Sequence, residues 1–271
     1  MTRFERPASS APSSMSAPAL GSTATSAGSP GPRLLVLVPL RIEELALRPG
    51  DRLGRATLVI EHIGMGLARA TEAAQRLSTA PPPDAVAVAG LGGALGDKLE
   101  PGDLVVAELL VDPSGRQLAR LGSASFLAAE LRHLGLRARP GTIVSTDHIV
   151  TGAERKTLAA LGADVVDMES TAVAGAPWRA PLAVVRAISD TPGRELFSAA
   201  GVAGVLTALR TLRASRRALA NWAAAVSPLT NKSKTTFVTG ARSSGTDQTA
   251  ITAGTPAPDE RVHFPVALEV R

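Results

Sequence analysis

The chain has 271 residues and no cysteine, so it holds neither a disulfide frame nor a thiolate metal site, and the cytoplasm is the expected compartment. Its net charge of +5 is spread along the chain, with small contributions from both tails, and is too weak to point to nucleic acid. No run approaches the ~20 apolar residues of a membrane span, and no continuous apolar stretch follows Arg3 and Arg6 as a secretory signal would require.

Residues 1–32 are Ser, Ala, Pro and Gly without hydrophobic period, and are expected to be disordered. Arg33–Leu40 (RLLVLVPL) reads as a buried strand, with Arg41-Ile42-Glu43-Glu44 at its carboxyl end and Glu44–Leu47 opening a short helix. Arg48–Asp51 is a turn, and residues 52–63 read as a hairpin whose stronger arm is Leu58–Ile63. Gly64-Met65-Gly66 leads into a helix over Leu67–Leu77. After the break at Pro81–Pro83, Asp84–Ala89 is a strand and Gly90-Leu91-Gly92-Gly93 a tight turn. Further strands are expected at Leu104–Val111, Arg139–Ser145, Val165–Val166 and Leu182–Ile188. Helices are expected at Ser123–Leu134, at Ala153–Leu161 with Glu154, Arg155 and Lys156 outward, at Met168–Ala174, stopped by Pro177, and at Phe197–Ala225.

Strands alternating with helices imply an α/β fold, a three-layer α/β/α sandwich around a mixed, mostly parallel twisted sheet, with the hairpin supplying the mixed pairing. One domain over residues 33–226 is large enough for a substantial core. Residues 227–271 resemble the first tail. Their end, HFPVALEVR, suits one short docked strand, a floppy end being the simpler reading.

Two carboxylates sit where a structural role is not the easiest explanation. Glu169 lies inside the apolar run VVDMESTAVAG. Asp190 falls just past the carboxyl end of a Val-rich strand, where open α/β sheets build their ligand crevices. Taken alone, Asp190-Thr191-Pro192-Gly193 is also turn chemistry, and Glu169 is also a first-turn helix acid. The four histidines show no metal spacing. Gly90-Leu91-Gly92-Gly93 lacks the third-glycine spacing of a dinucleotide loop, so no cofactor motif is present.

Val166-Asp167-Met168-Glu169-Ser170-Thr171-Ala172-Val173-Ala174 and Arg186-Ala187-Ile188-Ser189-Asp190 follow Gly90-Leu91-Gly92-Gly93-Ala94-Leu95 and the stretch Leu99–Val106. In that order these motifs resemble the purine and uridine phosphorylase and nucleosidase superfamily, over roughly residues 33–226. The nearest look is to its hydrolytic branch: methylthioadenosine/S-adenosylhomocysteine nucleosidase, futalosine hydrolase and the hopanoid-associated nucleosidases. The resemblance implies a nucleoside phosphorylase-like fold, hydrolysis of an adenosine-type nucleoside at its N-ribosidic bond, no cofactor or metal, and a homo-oligomer. It casts Asp190 as the acid that protonates the purine N7, with Ser189 beside it, burial among apolar groups keeping the proton available near neutrality. Glu169 would accept the ribose 2′ and 3′ hydroxyls, with Met168 as an apolar wall. Glu44 would activate the attacking water, and a register shift of one would pass that role to Glu43. Gly92 and Gly93 would turn backbone N–H groups to the crevice, Ile149 and Val150 would meet the base, and Met65 the 5′ substituent.

The chain departs from the family at Val88, at Ile149 and in the shortness of the helix from Met168, ended by Gly175-Ala176-Pro177-Trp178. Phosphorylases carry a phosphate-binding arginine where Val88 stands, which favours water as the nucleophile. Pro39-Leu40-Arg41 nevertheless resembles a phosphate-binding segment, so phosphorolysis through Arg41 is the alternative reaction. Adenine-specific nucleosidases stack a phenylalanine on the base where Ile149 stands, and a non-catalytic nucleoside-binding protein is the second alternative. The 5′ group is open among methylthio, homocysteine and hopane, the last favoured by the look of Pro39–Leu45 and VDMES. The final helix combines Arg210, Arg213, Arg216 and Arg217 with Leu206, Leu209, Leu212, Leu219 and Trp222. It reads as an amphipathic core helix with a solvated basic face, or as a peripheral contact to anionic lipid that would suit a lipid-linked nucleoside.

Overall fold

The computed structural model describes residues 31–48, 56–196 and 198–231, all within one compact unit. Most of the two expected tails, most of the turn at 48–51 and the first arm of the expected hairpin lie outside the described residues. The elements in order are β1 (Arg33–Val38), α1 (Arg41–Leu47), β2 (Thr57–His62), α2 (Leu67–Ser78), β3 (Ala85–Ala94), β4 (Leu104–Val111) and β5 (Gln117–Arg120). There follow α3 (Ala124–His133), β6 (Ala138–Ser145), α4 (Gly152–Ala160), β7 (Val165–Asp167), α5 (Ser170–Ala174), β8 (Leu182–Asp190) and α6 (Ala199–Asn231).

The continuous apolar runs of β1, β3 and β8 are buried on both faces, as central strands must be. Alternate residues feed two cores. Leu34, Val36 and Val38 pack with Leu127 and Leu131 of α3 and Leu212, Leu219 and Trp222 of α6. Leu35 and Leu37 pack with Ala70, Ala73 and Ala74 of α2 and Val173 of α5. The helices therefore cover both faces, giving the three-layer α/β/α arrangement.

β2, β1, β3 and β8 run parallel, as do β4, β6 and β7. The two groups join in antiparallel fashion through β4–β8 and through a short β3–β7 ladder. β3, β8, β4, β6 and β7 thus form a closed circuit, from which β1 and β2 extend on one side and β5 on another. The sheet is mixed for this reason, and β2, the described arm of the expected hairpin, lies parallel to β1 over its whole length. A hairpin joins β4 to β5 across Asp112–Arg116. β5 is short and largely exposed, and was not expected.

The expected turn at Gly90–Gly93 is not a turn. β3 continues through it, paired with β8 as far as Gly93. The glycines serve close approach instead. A Cβ on Gly90 would lie 2.6 Å from Arg186 Nη1 and 2.8 Å from Glu43 Oε1, and one on Gly92 would lie 2.8 Å from Val165 Cγ1. α1 begins at Arg41, three residues before its expected start. α6 runs to Asn231, past the boundary expected at 226.

Candidate active site

An open cleft of about 310 Å³ lies at the carboxyl ends of the strands. The segment after β1 supplies Leu40, α1 supplies Glu43, and the segment after β2 supplies Met65. β3 contributes Leu91, Gly92 and Gly93. His148, Ile149 and Val150 follow β6, Asp167 ends β7 and leads to Met168 and Glu169, and β8 brings Arg186, Ser189 and Asp190. Arg155 of α4 and Val205 of α6 also line it.

Glu43 is almost fully buried. It occupies the third position of α1 and reaches back to the first turn, Oε2 accepting from the Leu40 N–H at 2.8 Å and Oε1 from the Leu91 N–H at 2.7 Å. Burial pushes its pKa up to about 7, against the opposing pull of Arg186 and the two backbone donors. Glu44, the residue expected to face the water, does not line the cleft. One helical residue further on, it turns outward and is held by Arg48 at 2.9 Å. The hydrogen bond from Arg48 lowers its pKa. Arg41, expected as a phosphate ligand, is 82% exposed, lies 4.0 Å from Glu44 and is likewise outside the cleft.

Glu169 immediately precedes α5, which has only five residues. The expected benefit of a helix N-terminus is outweighed: desolvation raises its pKa, Asp167 adds to the rise, and Arg186 opposes it. Oε1 accepts from the Gly66 N–H at 2.9 Å and Oε2 from Arg186 Nη2 at 3.2 Å. Gly64 and Gly66 both take positive φ, which brings the Met65 segment over this carboxylate.

Arg186 is fully buried in β8. Its Nε donates to Asp167 Oδ2 at 2.7 Å and its Nη2 to Ser170 Oγ at 3.0 Å. Desolvation works against its charge, but Asp167, Glu169 and Glu43 outweigh it and raise its pKa. Asp167 also accepts from Ser145 Oγ at 2.5 Å and from Ser170 Oγ, tying β6, β7 and α5 to β8. Glu43 and Glu169 are therefore held beside one guanidinium.

The other pole is Asp190, buried at the end of β8. Its surroundings are not simply apolar. Oδ1 accepts from Ser189 Oγ at 2.6 Å, and Oδ2 accepts from the guanidinium of Arg155. Arg155 was expected on the outer face of its helix, yet it shares a face with Leu158 and is buried, its Nη1 donating to the Ala94 carbonyl at 2.6 Å. Its Nε has no hydrogen-bond partner among the described residues. Ser189 Oγ also approaches the Gly92 carbonyl at 3.3 Å. Ile149 is half exposed at the rim and Val150 is buried beneath it. His148 is clamped between Asp147 (2.7 Å) and Glu154 (2.9 Å), whose hydrogen bonds raise its pKa.

The cleft brings together Asp190, Ser189, Glu169, Met168, Gly92, Gly93, Ile149, Val150 and Met65 from the sequence reading, and it leaves out Glu44 and Arg41. Sequence reasoning missed Arg155 and gave Arg186 and Asp167 no role. Arg186 had a signal: a charge in the middle of a buried strand needs partners. Among the described residues no group of His, Asp and Glu is placed to hold a metal ion, and no helix is long and apolar enough to cross a membrane.

A mixed sheet sandwiched by helices thus presents its carboxylates at the strand ends. Residues 51–225 match the phosphorylase superfamily, and the chain belongs to that family. The fold is shared with 5′-methylthioadenosine/S-adenosylhomocysteine nucleosidase from Helicobacter pylori, at 20% identity and a TM-score of 0.60, covering 70% of this chain and 98% of that one. It is shared also with futalosine hydrolase of Helicobacter pylori, at 20% identity and a TM-score of 0.59, over 70% of this chain and 97% of that one. The nucleosidase from Campylobacter jejuni is 18% identical, with a TM-score of 0.59, over 70% of this chain and 100% of that one. No curated protein matches the chain.

Proposed function

We propose that the protein is a purine nucleoside N-ribohydrolase of the adenosine type. The observation that carries this reading is the placement of Glu43 and Glu169 on either side of Arg186, in the same cleft as Asp190. The transition state is a ribosyl cation leaving a purine. It needs a proton on the base, a grip on the sugar and a nucleophile at the anomeric carbon.

Glu169 accepts the ribose 2′ and 3′ hydroxyls on the lone pairs left by Gly66 and Arg186, and its negative charge favours the nearby cation. Met168 packs on the sugar. Glu43 takes a proton from water as the water attacks. Its pKa of about 7 matches this task, since a general base works best when its pKa lies near the working pH. Arg186 keeps the two glutamates in place. Asp190 gives its proton to N7 of the base, and Arg155 receives the negative charge left on the carboxylate. Ile149 and Val150 border the base, and Met65 borders the 5′ group.

Water rather than phosphate fits the charge of the cleft. Both guanidiniums of the cleft, Arg155 and Arg186, are already bonded to carboxylates, which leaves no free cation there to hold a phosphate dianion among the described residues. Val88 is buried in β3, and Arg41 is exposed and not part of the cleft lining. Two of the proteins that share the fold are by name a nucleosidase and a futalosine hydrolase. Homo-oligomeric assembly and residence in the cytoplasm complete the reading.

The deciding experiment is release of free base from adenosine-type nucleosides with and without phosphate. Phosphate-independent release, reduced about 10²–10⁴-fold by Asp190→Asn, is the expected result. Ribose 1-phosphate formed only in the presence of phosphate would replace hydrolysis with phosphorolysis. Tight binding of the nucleoside without any turnover would make the chain a binding protein.

A further inference from the structure

Ile149 and Val150 belong to the segment between β6 and α4, residues 146–151. Thr146 fastens one side of it. Its N–H donates to the Asp167 carbonyl at 2.8 Å, and its Oγ1 to the His148 carbonyl at 2.7 Å. The His148 ring fastens the other side. Nδ1 lies 2.7 Å from Asp147 Oδ1, and Nε2 lies 2.9 Å and 3.1 Å from the two carboxylate oxygens of Glu154, in the first turn of α4. The next residue, Arg155, is bonded to Asp190. One ring thus spans from the segment that carries Ile149 and Val150 to the helical turn that carries the partner of Asp190.

Each ring nitrogen faces a carboxylate, and an ionised carboxylate only accepts. An imidazolium has two N–H groups and satisfies both sides. A neutral imidazole has one, and its other nitrogen would set a lone pair against a carboxylate oxygen. The closed arrangement therefore belongs to the protonated ring. The hydrogen bonds of Asp147 and Glu154 raise the pKa of His148, and the ring in turn lowers that of Asp147. The neighbouring charges are engaged elsewhere: Glu195, after β8, accepts from the Gly152 N–H at 3.1 Å, and Arg194 lies 3.5 Å from Glu100. With both N–H groups given to carboxylates, His148 lines the cleft without serving as an acid in it.

We propose that His148 is a positioning residue whose proton latches the Ile149–Val150 segment onto α4, so that the protonated enzyme binds its nucleoside more tightly. The proposal rests on the reading of the cleft as a nucleoside site. The latch is fully present below the pKa of a free histidine and is lost as pH rises through the raised value. The ring and its two carboxylates are 44–83% exposed, so the latch is a modest one and its effect is a few fold rather than orders of magnitude.

Two measurements on the full chain test it. The first is an NMR titration of the His148 Cε1–H, identified by its absence in His148→Gln. The ring is expected to titrate above the ordinary histidine value of about 6.5, the Val150 amide to shift with the same midpoint, and Glu154→Gln to lower that midpoint. The second is KM for adenosine between about pH 6 and pH 9. In the wild type it is expected to rise about three- to tenfold as the ring loses its proton, without a matching change in kcat. His148→Gln should stay at the high KM throughout. His148→Arg, whose guanidinium can donate to both carboxylates at every pH, should stay at the low one. A ring that titrates as an ordinary histidine overturns the proposal, as does a wild-type KM that is flat with pH, or one KM shared by the Gln and Arg variants. If no nucleoside is cleaved, the nucleosidase reading falls by itself, and the titration still decides the latch: a Val150 amide that does not follow the ring overturns it.

Discussion

A carboxylate as buried as Glu43 stays neutral through much of the pH range unless donors hold its charged form. Here two backbone N–H groups and Arg186 bring its pKa only part of the way back, to about 7. Two results follow. Base release should rise with pH through a limb centred near 7, and Glu43→Gln should abolish the limb together with about 10²–10⁴-fold of the rate, while Glu44→Gln stays within a few fold. A large loss in Glu44→Gln would instead return the role to that residue. Stability should move the other way. The folded pKa lies above that of an exposed glutamate, so neutral Glu43 favours folding most below about 4.5, and that contribution disappears as pH rises through about 7. The melting temperature of the wild type, measured against Glu43→Gln, should therefore fall between pH 5 and pH 8. The sequence could not choose between the adjacent glutamates, because the choice depends on where α1 starts. Beginning at Arg41 rather than Glu44, the helix turns Glu43 inward and Glu44 out. Arg155 was hidden for a related reason: α4 is mostly exposed, and an arginine at its first turn reads as surface until the facing Asp190 is placed.

At the scale of elements, the site rests on strands more than on loops. β3 carries Leu91, Gly92 and Gly93 as paired strand residues, and β8 carries Arg186 across from Gly90. A methyl group on Gly90 would strike Arg186 Nη1 and Glu43 Oε1. Gly90→Ala should thus displace both groups, lowering kcat at least about tenfold and stability by about 1–3 kcal/mol; an unchanged kcat would show that the two side chains yield without consequence. Arg186→Met removes the shared cation from Asp167 and Glu169 and should cost about 3–5 kcal/mol, read by denaturant unfolding, since it leaves buried carboxylates unpaired. Most strands and helices were legible because their apolar runs and helical periods are long and uninterrupted. The glycine segment was misread because Gly-Leu-Gly-Gly carries the same local signal whether the backbone turns or another side chain needs the space. β5 carried little signal: a four-residue, mostly exposed strand has scarcely any hydrophobic pattern to read.

For the whole molecule, α6 is the principal cover of one sheet face. Trp222 is fully buried against it and donates from Nε1 to Ser123 Oγ at 3.0 Å, linking α6 to the start of α3. Trp222→Ala should cost about 3–5 kcal/mol and lower the melting temperature by roughly 6–20 °C, a loss that calorimetry would detect. The layered α/β architecture was legible from the alternation of strands and helices. Closure of the sheet was not, because it depends on two antiparallel joins between segments far apart in the chain, Gly93–Ala94 with Val165–Val166 and Leu104–Val106 with Val185–Ala187. That closure bears on how the protein breathes. Strands in a circuit have no free edge from which to peel, so the backbone amides of β3 and β8 should be among the slowest to exchange with deuterated solvent, and those of the outlying β2 and β5 among the fastest in the sheet. Asp190, Arg186 and Glu169 sit in or directly after strands of the circuit. A partly open form that has lost it would lose the site at the same moment, so catalytic competence and slow exchange should vanish together on unfolding.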